Sequence, residues 1–255
     1  MKVKILGCSG SETMGHNPPG FLVNDVMMLD AGTITAVLTI DAQSKITDIL
    51  ISHTHIDHIK SILFLADNII GRIKKPVNIR ATADVIDAIR EHLMNNIIWP
   101  DFTVIPTAKN PVMKYVPLNV GKAVNIAGMK VKAVPMNHPV PAVGFVVSDK
   151  GSSIIYSADT GPNELLWKEA AKAKNLKAII VDTSFPNFLD GLATVSGHFT
   201  PAQLHQDLTR ARVGKDMPIY IYHIKPVHHD RVIKELHDMG RKNVKILQEG
   251  KTYQF

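Results

Sequence analysis

Apolar residues along this chain come in short runs broken by Gly, Pro, Asn and Asp. The runs VKIL, GFLV and VMMLD open the sequence, followed by ITDILIS (Ile46 to Ser52). They are rich in β-branched and long aliphatic residues and predict strands. IKSILFLADNI then reads as a short helix. ADVIDAIREHLMNNI (83–97) has apolar residues at Val85, Ile86, Ile89, Leu93 and Met94, a spacing that predicts a helix over the whole stretch. Pro100, Pro106 and Pro111 mark the next segment as loop. A second series of strand-like runs follows: KAVNI, MKVKAVPM, VGFVVS and SIIYSAD. GPNELLWKEAAKAKN predicts a helix with Pro162 near its start, and KAIIVDTS another strand. TPAQLHQDLTRAR predicts a helix with Thr200 as N-cap and Pro201 at its first position. PIYIYHI predicts a strand, DRVIKELHDMG a helix ending at Gly240, and VKILQ the last strand. Two strand series, each with its helices, imply two sheets packed face to face with helices outside, a layered α/β arrangement.

The bulk composition narrows this only modestly. With 255 residues, 45% of them hydrophobic, the chain can form a sizeable core, and one domain over residues 1–255 is expected. Cys8 is the single cysteine, which excludes a disulfide framework and a Cys-rich metal site and favours a reducing, cytoplasmic setting. MKVKILGCSG breaks at Gly7 and lacks the features of a signal peptide. No apolar stretch is long enough to suggest a membrane span. The net charge of +6 is spread over scattered Lys and Arg, with GRIKKP the densest cluster, so a nucleic-acid-binding tail is not expected.

The chemistry concentrates in HTHIDH, where His53, His55, Asp57 and His58 crowd six positions. If the preceding strand continues, His53 and His55 point the same way, while Asp57 and His58 fall where strand gives way to helix. Imidazole and carboxylate donors together suit zinc, iron or manganese. Four donors do not fill two metal sites, so more should lie at later strand ends. His138 in VPMNHP, Asp159 in IIYSADTG and His223 in IYIYHIK sit there.

HTHIDH matches the His-x-His-x-Asp-His motif of the metallo-β-lactamase fold superfamily, and His138, Asp159 and His223 match its remaining ligand positions in order. The resemblance implies a four-layer αββα sandwich. It implies that His53, His55 and His138 hold one divalent metal and Asp57, His58 and His223 a second, with Asp159 between them. Zinc is the first expectation, and manganese or iron also accept this set. Asp30 in LDAG would orient a ligand histidine. HTHIDHIKSILFLADNI, NNIIWPDF, YSADTGP, DTSFPN and SGHFTP together resemble class II 3',5'-cyclic-nucleotide phosphodiesterases, with Ser61 standing where many members carry glycine. That narrower resemblance implies hydrolysis of cyclic AMP or cyclic GMP to a 5'-monophosphate by a hydroxide bridging the two metals.

Asp57, also a ligand, and His198 in SGHFTP are the candidate catalytic residues, His198 by protonating the departing O3' or contacting the phosphate. Asn96 and Trp99 are candidates for gripping the base, by hydrogen bond and by stacking. Thr160, and more loosely Ser184 and Phe185, are further pocket candidates. His16 lies in a loop that could reach the cleft, while His228 and His229 carry no assigned role. The expected partner is a small cyclic nucleotide, with neither nucleic acid nor membrane, and a homodimer is what the resemblance suggests. The competing readings are an RNA-processing endonuclease of the same fold, which would need a substrate-gripping arm that is not evident, and a non-catalytic metal-bound scaffold.

Overall fold

The computed structural model describes all of residues 1–255. Its strands are β1 (Lys2–Gly7), β2 (Gly20–Val23), β3 (Met27–Leu29), β4 (Asp48–Leu50), β5 (Val77–Ala81), β6 (Pro106–Thr107), β7 (Asn110–Pro111), β8 (Met113–Pro117), β9 (Ala123–Ile126), β10 (Met129–Pro135), β11 (Val143–Ser148), β12 (Ser153–Tyr156), β13 (Leu176–Asp182), β14 (Ile219–Tyr222), β15 (Val244–Ile246) and β16 (Thr252–Gln254). Its helices are α1 (Ile40–Gln43), α2 (Ile56–Ile59), α3 (Ser61–Ile69), α4 (Ala83–His92), α5 (Glu164–Lys172), α6 (Asp190–Ser196), α7 (Pro201–Arg210) and α8 (His229–Asp238). One sheet runs β16-β1-β2-β3-β4-β5-β8 and the other β15-β14-β13-β12-β11-β10-β9, with β6 and β7 forming a small hairpin.

Alternation along the strands explains why the sheets stack. Ile49 of β4 packs under helices α3 and α4, while Leu50 faces the opposite sheet. In β13, Ile179 and Val181 pack under α5, α7 and α8, while Ala178 and Ile180 face inward. Inner strands are apolar on both faces because both are covered, so they read as continuous apolar runs. The result is helix, sheet, sheet, helix: the four-layer αββα sandwich. No helix is long and apolar enough to cross a membrane.

The structure departs from the sequence reading in several places. Helix α4 stops at His92 instead of Ile97. Asn95 ends it, because its Oδ1 accepts from the N–H groups of Ile97 (3.0 Å) and Ile98 (2.8 Å), offering the backbone a turn in place of another helical step. The segment read as loop holds β6, β7 and β8. VKILQ is not the last strand: β16 follows and closes against β1, pairing Lys2 with Gln254. His53 and His55 do not ride on a strand, since β4 ends at Leu50. Ser52 leaves the ladder because its N–H donates to Asp30 Oδ1 (2.8 Å) and its carbonyl accepts from Val143 of the other sheet (3.0 Å). The histidine segment therefore crosses between the sheets.

Candidate metal centre

The seven side chains meet at one edge of the sandwich. His53, His55, His138 and Asp159 each bring one donor atom within 4.8 Å of the others, and so do Asp57, His58 and His223. Asp159 stands between the two groups: its Oδ2 lies 3.6 Å from His53 Nε2, 3.3 Å from His58 Nε2 and 3.3 Å from His223 Nε2. His223 leaves β14 in the left-handed region (φ 68°), which turns its ring back toward the cluster.

The donors suit divalent cations. His53 Nε2 is buried with no hydrogen-bond partner, although its Nδ1 lies 2.9 Å from Ser52 Oγ. An unpaired buried nitrogen costs free energy unless something binds it. Two further pairs of ring nitrogens face each other, His58 Nε2 with His223 Nε2 at 3.3 Å and His55 Nδ1 with His138 Nε2 at 3.2 Å. Burial first, and then neighbouring imidazoles, hold His53 well below the ordinary histidine pKa. Burial also lowers His138, so both keep neutral imidazole lone pairs near neutral pH. Burial would raise the Asp57 carboxyl, but contact with His223 and the charge of His58 outweigh it and hold the group well below the usual carboxylate range.

Two buried carboxylates brace the cluster from behind. Asp30 sits in the left-handed region (φ 55°) at the end of β3. Its oxygens accept from Ser52 N–H (2.8 Å), Ser52 Oγ (2.8 Å), His58 Nδ1 (2.8 Å) and Tyr156 Oη (2.6 Å). The bond from His58 Nδ1 leaves Nε2 as the nitrogen facing the other ligands. Asp182, at the end of β13, accepts from His198 Nδ1 (2.6 Å), Ser184 Oγ (2.6 Å) and the Thr160 N–H (3.2 Å). The sequence reading overlooked Asp182, although it abuts an apolar strand end just as Asp159 does. Tyr222 Oη donates to Asp159 Oδ1 (3.3 Å).

Close backbone packing also matters. A Cβ on Gly32 would lie 1.8 Å from the Asp57 carbonyl oxygen, so helix α2, which bears Asp57, sits directly on this glycine. Ser61 ties the same segments together, accepting from Ile34 N–H (3.1 Å) and donating to the Gly32 carbonyl (2.9 Å).

The remaining candidates divide. His198 joins the centre, with its ring stacked on His223 (5.2 Å between centroids) and edge-on to His138 (5.2 Å). Burial alone would lower its pKa, but the Asp182 carboxylate outweighs burial and holds it raised. Thr160 is buried and committed: its Oγ accepts from Asn137 N–H (3.1 Å) and donates to the Gly161 carbonyl (2.9 Å). Asn96 braces its own loop, with Oδ1 accepting from Asp101 N–H (3.0 Å). Trp99 packs edge-to-face on Phe64 of α3 (5.3 Å) and against the core beneath it. Ser184 is buried, with its Oγ 2.9 Å from His223 Nδ1. Phe185 lies edge-on to His198 (5.7 Å), and His16 packs edge-on to His229 (5.3 Å).

Stacked sheets with a histidine and aspartate cluster at one edge define a metallo-β-lactamase fold with a site for divalent cations. The chain belongs to the β-lactamase superfamily: the profile of its Beta-lactamase superfamily domain matches residues 25–221. A probable 3',5'-cyclic-nucleotide phosphodiesterase of Yersinia pestis is 24% identical over 244 residues, spanning 84% of this chain and 69% of that protein. The crystal structure of unliganded yeast PDE1 superposes with a TM-score of 0.81 at 19% identity, covering 98% of each chain. The metallo-β-lactamase fold protein YhfI of Bacillus subtilis superposes at 0.77 with 18% identity, covering 99% of each.

Proposed function

We propose that this protein is a dinuclear-metal phosphodiesterase that opens 3',5'-cyclic nucleotides to 5'-monophosphates. The observation that carries the reading is Asp159 Oδ2, shared at 3.3–3.6 Å among histidines of both donor groups. A shared carboxylate between two imidazole sets is what two adjacent cations require. His53, His55 and His138 would hold one, Asp57, His58 and His223 the other, and Asp159 both. Zinc fits this nitrogen-rich set best, and manganese or iron would also be accepted. When bound, such cations polarise phosphoryl oxygens and acidify water into a nucleophile.

The chain's own residues do the rest. Asp30 and Asp182 fix the rings they touch, so the donors need no rearrangement as charge develops. His198 gives its Nδ1 proton to Asp182 as a hydrogen bond, leaving Nε2 to serve the substrate. Held through Nδ1 by Asp182, His198 would give the proton that the departing O3' needs. The cyclic-nucleotide assignment draws support from the Yersinia relative, and the yeast neighbour supports the fold. The test is one purification: elemental analysis for metals, then assays with cyclic AMP, cyclic GMP and a precursor transfer RNA. We expect two divalent ions per chain and turnover of a cyclic nucleotide. Cleavage of the transfer RNA alone would make the protein a processing endonuclease, and full metal occupancy without turnover a scaffold.

A further inference from the structure

A cavity of about 520 Å³, lined by His16, Phe188, Val227, His228, Asp230 and Arg231 among others, is linked to the centre through Phe185. A row of aromatic rings joins it to the cluster. His198 stacks on His223, Phe185 lies 5.7 Å from His198, His228 lies 6.2 Å from Phe185, and Phe188 meets His228 edge-to-face at 6.3 Å. Phe188 is 67% exposed and Val227 83%, a large apolar surface for a site mouth. Leu192 and Val195 of α6 follow Phe188 at helical spacing and are also exposed. Five of its eight lining residues are His, Asp or Arg, so Phe188 and Val227 form an apolar patch in a largely polar wall, and its volume lies in the range of small-ligand sites.

We infer that this cavity is the nucleobase subsite, with Phe188 as its stacking platform and His228 and Val227 as the adjoining wall. The inference rests on the phosphodiesterase reading, since it names where the base of that substrate lies. In this assignment the phosphate sits at the cluster beside His198 and the rest of the nucleotide extends along the aromatic row toward Phe188. Stacking on an aromatic face tolerates either purine. Phe188 makes no hydrogen bond and holds up no core, so it can be changed without disturbing the fold.

The test compares the wild-type holoenzyme with Phe188→Ala and Phe188→Trp. The substrates are cyclic AMP, cyclic GMP and methyl riboside 3',5'-cyclic phosphate, which has the same phosphate ring and no base. Binding of adenosine 5'-monophosphate is measured alongside by calorimetry. For Phe188→Ala we expect KM for both nucleotides, and Kd for the monophosphate, to rise about 5- to 150-fold. Turnover of the base-free ester should be unchanged, and Phe188→Trp should restore affinity. Equal losses on the base-free ester, or unaltered KM and Kd, would overturn the subsite. Should the wild-type enzyme hydrolyse no cyclic nucleotide, the phosphodiesterase reading falls separately. Calorimetry still decides the cavity, because equal monophosphate affinity in wild type and Phe188→Ala would refute it.

Discussion

Asp30→Asn is the sharpest probe of how the centre is held. The native carboxylate accepts four hydrogen bonds, three of them on Oδ2, from Ser52 Oγ, His58 Nδ1 and Tyr156 Oη. An asparagine replaces one acceptor oxygen with an NH₂ donor in a fully buried site. If the amide oxygen takes the Oδ2 position, the NH₂ meets the Ser52 backbone N–H, which cannot turn away. If it takes the Oδ1 position, the NH₂ meets His58 Nδ1. The hydroxyls of Ser52 and Tyr156 can rotate, but His58 must then move its proton to Nε2, the nitrogen 3.3 Å from both His223 and Asp159. Either arrangement loses at least one hydrogen bond to a charged acceptor, about 1.5–3 kcal/mol, out of a domain stability of about 5–15 kcal/mol. Disturbing the tautomer of His58 should weaken metal binding about 10- to 100-fold. Two measurements separate the effects: urea unfolding of the metal-free protein, and competition with a chelator of known affinity. Lost stability with wild-type metal affinity would refute the orienting role. No change in either would refute the hydrogen-bond reasoning itself.

Three further outcomes are expected. Gly32→Ala forces helix α2, which bears Asp57, away from a 1.8 Å clash, so it should lose about 1–3 kcal/mol in thermal unfolding together with part of the bound metal; wild-type values for both would show that the helix yields freely. His198→Ala should cut turnover about 10²- to 10⁴-fold while elemental analysis finds the metal content unaltered, and full turnover would remove His198 from the reaction. Trp99→Ala should cost about 2 kcal/mol through its contact with Phe64 and the core, yet leave KM for cyclic nucleotides as it was; a raised KM with undiminished stability would move the base to that loop.

Much of this was legible along the chain because side-chain period and burial leave a local record. The inner strands β12, β13 and β14 announce themselves as unbroken apolar runs, since both faces are covered. Thr200 and Pro201 mark the start of α7, and the structure gives Thr200 Oγ1 the N–H of Gln203 (3.3 Å). HTHIDH is legible because so many donors in so few positions have little other use. The strands at the margins of the first sheet were harder. β5 alternates polar with apolar residues, β8 at the edge is largely unburied and carries Lys114 and Pro117, and β16 at the other edge is three residues whose partner β1 lies at the far end of the sequence.

The sequence alone determined the fold class and the donor types, because periodicity and residue chemistry are properties of neighbouring positions. Only the tertiary structure decided that one Asp159 oxygen lies within 3.6 Å of His53, His58 and His223, that Asp182 backs His198, and that Trp99 packs at the core edge while Phe188 lines the cavity. Those relations join residues from different strand ends, and their separations are set by how two twisted sheets stack, which no local pattern encodes.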